Sequence, residues 1–247
     1  LPDTKIQDLR KHLSKIYECY DELFKTIGAL FKINPDNLLA ILRSNKTDMF
    51  TTNYDIIVES YIKRTSNKFS DDRLFNDGSI SEAWKISNFL NDDRRVRLFK
   101  LHGSIDQFKT EDGIVKTGQA ERIGRLYGNE IKGEVMIYPV RENYLYTYPF
   151  HDLLDCFRDS ISMSKFLICI GYSFRDGAIN DLIADAMEFR KSKNAPDLIL
   201  LLIDPKASEI NQSRLKHLPK LKIVPIEMEF GEVGELHNKI KERGFIN

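Results

Sequence analysis

Two wholly apolar runs, Phe166 to Ile170 and Leu198 to Ile203, constrain this chain more than any other feature. Neither alternates with polar residues, so neither reads as a strand with one wet face; a continuous run of this kind marks a strand buried on both faces of a parallel sheet. Each is followed by turn residues and then by a helical pattern. Gly171-Tyr172-Ser173-Phe174 leads into a helix from Asp176 to about Lys191, and Asp204-Pro205 leads into a helix at 207–216. A strand at 221–226 and a helix at 232–242 continue the series. Ahead of it, 148–163 reads as a helix with Phe150, Leu153, Leu154, Phe157 and Ile161 on one face. Strands that alternate with helices in this way belong to a doubly wound sheet.

The first half follows the same rule less regularly. Residues 5–31 read as a helix, with Ile6, Leu9, Leu13, Ile16, Tyr20, Leu23 and Phe24 at spacings of three and four. Asn34-Pro35-Asp36 breaks it and caps a second helix from Asn37 to Arg43. A β-prone stretch from Asp48 ends at Asn53, and a helix runs from Asp55 to about Lys63. Val96 to Leu101 is a strand stopped by His102-Gly103-Ser104, and Val135 to Tyr138 another, ended by Pro139. Residues 65–94, polar apart from a helix at 81–90 around Trp84, read as an insertion. Residues 106–133, polar and glycine-rich, read as a second insertion or flap. The expected architecture is α/β and Rossmann-like: a doubly wound, mostly parallel sheet with helical insertions. At ~150 residues per domain, 247 residues suit one such domain.

Composition removes several functional classes. Thirty-seven basic residues balance 37 acidic ones, whereas nucleic-acid binding draws on a basic excess. The clusters Lys63-Arg64 and Arg94 to Arg97 lie near Asp71, Asp72, Asp92 and Asp93 and read as a solvated face, so no direct nucleic-acid contact is expected. Cys19, Cys156 and Cys169 form no Cys-x-x-Cys pair, which excludes a four-cysteine zinc site within this chain and suits a reducing cytoplasm. Cys169, inside an apolar run, reads as a small buried hydrophobe. No apolar run approaches the ~20 residues of a membrane span, and the polar start reads as no signal peptide.

In an open parallel sheet, ligands bind beyond the carboxyl ends of the strands. The residues there are Asn53-Tyr54-Asp55, His102-Gly103-Ser104, Pro139, Gly171-Tyr172-Ser173 and Asp204. Gly171 to Ser173 can offer backbone N–H groups and a hydroxyl to a phosphate, or serve only as a strand-to-helix turn. Asp204 matches the acid that takes a ribose diol, or caps a helix ahead of Pro205. His102 is a candidate general base, with a structural histidine as the alternative. Asn53 can orient a water or a ribose hydroxyl, or end a strand, with Asp55 beginning the next helix. The sequence has no P-loop, no His-Glu-x-x-His pair, no Gly-x-Ser-x-Gly turn and no Gly-x-Gly-x-x-Gly fingerprint.

Phe50-Thr51-Thr52-Asn53-Tyr54-Asp55, Lys100-Leu101-His102-Gly103-Ser104 and Ile170-Gly171-Tyr172-Ser173-Phe174-Arg175-Asp176 together resemble the sirtuin-like domains of prokaryotic defence proteins, over about residues 1–230. The resemblance implies an NAD hydrolase that cleaves the nicotinamide–ribose bond and acts in antiphage defence, by abortive NAD depletion. It implies that Asn53 and His102 are catalytic, and that Thr52, Asp55, Gly103, Ser104, Gly171, Tyr172, Ser173 and Asp204 line the NAD site. NAD is then the substrate, and zinc is not expected. The implied partners are further copies of the chain and a helicase or other ATPase, an Argonaute or a sensor domain, with no membrane. The alternative is a non-catalytic module in which NAD or ADP-ribose drives assembly; a deacylase is disfavoured by the absent zinc cysteines. The family's Gly-Ala-Gly-x-Ser loop has no counterpart, and Leu1-Pro2-Asp3 resembles the stretch that follows it. The expectation is therefore a single sirtuin-like domain over 1–247 lacking its first strand and glycine-rich loop.

Overall fold

A computed structural model describes residues 46–59, 75–80, 83–89, 96–116, 132–137, 147–211, 215, 218–229 and 242. The helices expected at 5–31, 37–43 and 232–242 lie outside these residues, apart from Glu242. The chain divides into two compact units, residues 1–32 with 40–151, and 33–39 with 152–247.

The first unit holds a parallel sheet of β1 (Thr47–Thr51), β5 (Val96–Lys100) and β2 (Phe75–Asn76), in the order β1-β5-β2. Asp48 and Arg97 are register partners across β1 and β5, and they form a two-pronged ion pair, Nε to Oδ1 at 2.6 Å and Nη2 to Oδ2 at 2.7 Å. Such a fork fixes direction as well as distance. The core beside it is aromatic: the Phe99 ring stacks on Phe50 at 4.8 Å and on Phe89 at 4.3 Å. Trp84 meets Phe89 edge-on and donates from Nε1 to the Asp77 carbonyl at 2.8 Å.

A second sheet of the same unit has the order β3-β4-β7-β6-β8 and pairs antiparallel throughout. Its strands are β3 (Ser79–Ile80), β4 (Ala83–Trp84), β6 (Gly103–Lys109), β7 (Ile114–Lys116) and β8 (Gly133–Met136). The described parts of both expected insertions are thus mainly strands, not helices; only a 3-10 turn at Ile86–Phe89 answers the helix expected around Trp84. Asp112-Gly113 makes the turn between β6 and β7, with the Thr110 N–H donating to the Gly113 carbonyl at 2.7 Å. His102 does not open a long loop either: after one turn the chain re-enters a strand at Gly103. That glycine has φ +86°, and a Cβ there would lie 1.8 Å from the Val135 carbonyl oxygen, so only glycine lets β6 approach β8.

The second unit is a parallel sheet in the order β11-β10-β9, from β9 (Phe166–Ile170), β10 (Leu198–Ile203) and β11 (Leu221–Ile226). It carries α1 (Phe150–Met163), which begins in the first unit, α2 (Gly177–Ser192) and the one-turn α3 (Ala207–Ile210). The five apolar residues expected on one face of α1 are all buried. Asp176 caps α2 by accepting from the Ile179 N–H at 3.3 Å. Near the other end of α2, the buried Arg190 guanidinium donates to the carbonyls of Ile161 (3.4 Å), Ser162 (2.8 Å), Ser164 (2.9 Å) and Pro196 (2.6 Å).

β10 is buried on both faces as expected, with Leu200 only 1% exposed. β9 is not. Phe166, Ile168 and Ile170, which share one face, are 42%, 37% and 37% exposed. β9 pairs with β10 on one side and with no other strand among the described residues, and one of its faces is partly exposed. Placing a charge in the centre has a definite expected cost. Leu200→Asp sets an unpaired carboxylate in β10 at several kcal/mol, against a total stability of about 5–15 kcal/mol. The variant is expected to lose its cooperative thermal transition by circular dichroism.

Candidate functional site

In the β1–β5 pair, Thr51 is the register partner of Lys100, and Asn53 and His102 each stand two residues further on. The ladder continues past the strands: the Leu101 N–H donates to the Thr51 carbonyl at 2.9 Å and the Ile105 N–H to the Tyr54 carbonyl at 3.0 Å. Asn53 and His102 therefore share the carboxyl edge of one parallel pair. Asn53 is exposed, its N–H held by Thr51 Oγ1 at 3.1 Å, and Thr52 before it is half-buried. Asp55 accepts the Ile57 N–H at 3.0 Å, capping the helical turn at 57–59. The half-buried His102 ring lies 6.4 Å, centroid to centroid, from that of Tyr54, whose hydroxyl donates to the Ile137 carbonyl. Gly103 and Ser104 are buried within β6. The Ser104 hydroxyl donates to Asp106 Oδ1 at 2.5 Å and has the Tyr54 carbonyl at 3.4 Å, so its contacts are internal.

Beneath this edge lies a buried charge cluster that sequence reasoning missed. Lys100 Nζ stands 3.2 Å from Glu59 Oε1 and donates to the carbonyls of Tyr54 (3.2 Å) and Asp55. Lys116 Nζ stands 3.3 Å from the same Glu59 oxygen, 3.0 Å from Asp77 Oδ2 and 3.8 Å from Asp106 Oδ2. Glu59 Oε2 is buried with no hydrogen-bond partner among the described residues. Burial lowers the Lys100 ammonium below the ordinary lysine range despite Glu59 and Asp106. Burial acts on Lys116 in the same sense, but Asp106, Asp77 and Glu59 outweigh it and raise that group. The available signal was a lysine interrupting or ending an apolar strand, in Leu98-Phe99-Lys100-Leu101 and Ile114-Val115-Lys116.

The second unit holds the remaining sequence-predicted residues at the carboxyl ends of β9 and β10. Gly171 has φ +64°, its N–H donates to the Ile203 carbonyl at 2.9 Å, and a Cβ there would meet nothing within 4 Å. The glycine thus serves the backbone conformation and leaves open space above it. Ser173 is exposed. The Tyr172 hydroxyl is buried without a hydrogen-bond partner among the described residues, and burial pushes its phenol above the usual range. Asp204 Oδ1 accepts the Lys206 N–H at 2.8 Å in a turn ahead of α3; the cap position of that helix is Lys206, so Asp204 is not the helix cap that was the alternative to ribose binding. Cys169 is half-buried by exposed area, yet burial of its thiol pushes it up to about 12, with a hydrogen bond from the Tyr172 backbone acting the other way. A cavity of about 280 Å³ against α2, lined by residues including Phe174, Asn180, Ile183 and Leu215, contains none of the sequence-predicted residues.

Parallel sheets with glycine, hydroxyl, amide and imidazole groups at their carboxyl ends belong to the α/β class whose ligands bind at that edge. Within that class, a family model described as a SIR2-like domain matches residues 47–226, and the chain belongs to this family. A search of curated proteins gave no match. SIR2-like domains are generally NAD-dependent enzymes that use NAD as a substrate, which makes NAD the ligand that this family membership suggests. Among the described residues, no group of three or more His, Cys, Asp or Glu side chains is arranged to hold a metal ion. No described helix is long and apolar enough to cross a membrane.

Two measurements probe these surroundings. Lys116→Met leaves three carboxylates facing a lost ammonium, and chemical denaturation is expected to report a loss of about 3–5 kcal/mol. Cys169 is protonated at pH 8, so site-resolved mass spectrometry is expected to find its alkylation ~10³-fold slower in the folded chain than in denaturant. Equal rates in the two states would contradict the burial of the thiol.

Proposed function

We propose that this chain hydrolyses NAD, releasing nicotinamide and ADP-ribose. The observation that carries the reading is the β1–β5 register, with Asn53 and His102 both two residues beyond paired positions in a chain of the SIR2-like family. The leaving nicotinamide is already cationic, so breaking its bond to the ribose C1′ generates an oxocarbenium-like carbon and a neutral leaving group. Water adds to C1′ and gives up a proton. Such a reaction asks an enzyme mainly for position and for a place to send the proton.

In this reading Asn53 orients the ribose or the attacking water, and His102 acts as the base at the ribose hydroxyls. Thr52 and Asp55 flank the nicotinamide side. Gly171, Tyr172, Ser173 and Asp204 serve the phosphates and the adenosine ribose; the open space at Gly171 suits the close approach of a phosphate. Gly103 and Ser104 support the site from within β6. We further propose that the activity works inside the cell as an antiphage effector, depleting NAD under the control of oligomer assembly or of a partner such as a helicase, an Argonaute or a sensor domain. The likeness of the three motifs to defence proteins supports that setting.

The test is to incubate the full chain with NAD, with and without the product of the neighbouring gene, and to quantify nicotinamide and ADP-ribose. His102→Ala and Asn53→Ala are expected to lower release by about 10²- to 10⁴-fold with an unchanged thermal transition. Parent-like rates in both variants would refute the site assignment. Tight NAD or ADP-ribose binding without release would favour an assembly module, and release that requires an acetylated peptide would favour a deacylase.

A further inference from the structure

A buried ammonium has three N–H donors and tolerates burial when each finds an acceptor. The Lys100 side chain is 4% exposed, and its acceptors are the Tyr54 carbonyl, the Asp55 carbonyl and Glu59 Oε1. All three belong to the segment that leaves β1, and Asn53 is the residue immediately before them. Charge balance alone does not require this arrangement, because the same Glu59 oxygen is also within 3.3 Å of the Lys116 ammonium. What Lys100 supplies and Lys116 does not is the pair of bonds to the turn's own carbonyls. The Tyr54 carbonyl already accepts from the Ile105 N–H at 3.0 Å and has the Ser104 hydroxyl at 3.4 Å, so the ammonium adds a further tie at that point and the tie at Asp55.

We propose that Lys100 is a positioning residue for Asn53: from the end of β5, its ammonium clamps the carbonyls of Tyr54 and Asp55 and so fixes the turn on which Asn53 is carried. The consequence for turnover rests on the NAD-cleaving reading, while the clamp itself does not. A misplaced turn lowers kcat by loss of orientation, and affects KM little where the nucleotide is held mainly by other residues.

Lys100→Met alone would leave Glu59 with a deficit of positive charge, so the test uses the full chain in a Glu59→Gln background, which removes that charge. Relative to Glu59→Gln, the Lys100→Met/Glu59→Gln chain is expected to stay folded, to exchange the amides of 53–57 faster by mass spectrometry, and to lose ~10²-fold in kcat with KM changed by less than about threefold. Lys100→Gln in the same background keeps two N–H donors and is expected to recover about tenfold of that loss. It also carries the test if the methionine variant does not fold: protection at 53–57 close to that of Glu59→Gln, with kcat about tenfold below it, then supports the clamp. Unchanged exchange at 53–57 in a folded Lys100→Met/Glu59→Gln chain overturns the proposal. So does faster exchange with kcat retained, and so does a Gln variant that folds with that protection lost. If the parent releases no nicotinamide, the hydrolase reading fails and the exchange comparison alone decides the clamp.

Discussion

The fork between Asp48 and Arg97 is the contact on which the first unit's geometry depends. It joins register partners of two parallel strands, and a planar guanidinium meeting a carboxylate through two parallel bonds tolerates little sliding. A third nitrogen of Arg97 donates to the Phe89 carbonyl at 3.2 Å, beside the stacked rings of Phe89, Phe99 and Phe50. Ionic and aromatic contacts thus select the same alignment. Everything at the carboxyl edge inherits it, because Asn53 and His102 are counted from the same paired positions. An exposed amide and a half-buried imidazole are poor at ordering themselves, and the order is supplied by the strands that carry them.

Beneath that edge the molecule accepts a costly arrangement. Two lysines and two acids lie out of water with the partly buried Asp106 beside them, and one carboxylate oxygen has no hydrogen-bond partner among the described residues. An apolar filling would offer similar packing without the desolvation penalty. What it would lack is directional donors capable of gripping backbone carbonyls in a turn. The cluster also joins parts of the chain distant in sequence, from Glu59 to Lys116, so that the parallel pair and the antiparallel sheet share one set of charges.

The sequence was legible where a single physical rule acts alone. Leu198 to Ile203 reads as a central strand because nothing but burial on both faces suits six apolar side chains. The amphipathic face of α1 and the cap at Asp176 follow from helical spacing and side-chain chemistry. The strand-end rule found Asn53 and His102 from position alone. Legibility failed where the neighbour, and not the residue, decides. β9 has the composition of a central strand but pairs on one side among the described residues. β2, β3 and β4 have two residues each, too few for an alternation to register. Lys100 and Lys116 read as surface residues, since lysine is seldom buried, and only the folded chain brings carboxylates and carbonyls to them. Ser104 sits in a polar triplet that suggests a loop, yet its strand runs through the interior.

Arg190 gives the second unit a polarity of another kind. Its guanidinium gathers carbonyls from the end of α1 and from the lead-ins to β9 and β10, so the edge where the chain enters these two strands is closed by one side chain. At the opposite edge, where the chain leaves the same strands, Gly171 and Ser173 are exposed, and the Asn180 side chain donates to the Phe174 carbonyl at 2.9 Å. A change of loop length or residue type at the entering edge has to preserve four acceptors at once, whereas at the leaving edge Gly171 and Ser173 face solvent. Divergence among chains built on this plan should therefore collect at the leaving edge, and the fold can keep its entrance constant while its exit is rewritten for new ligands.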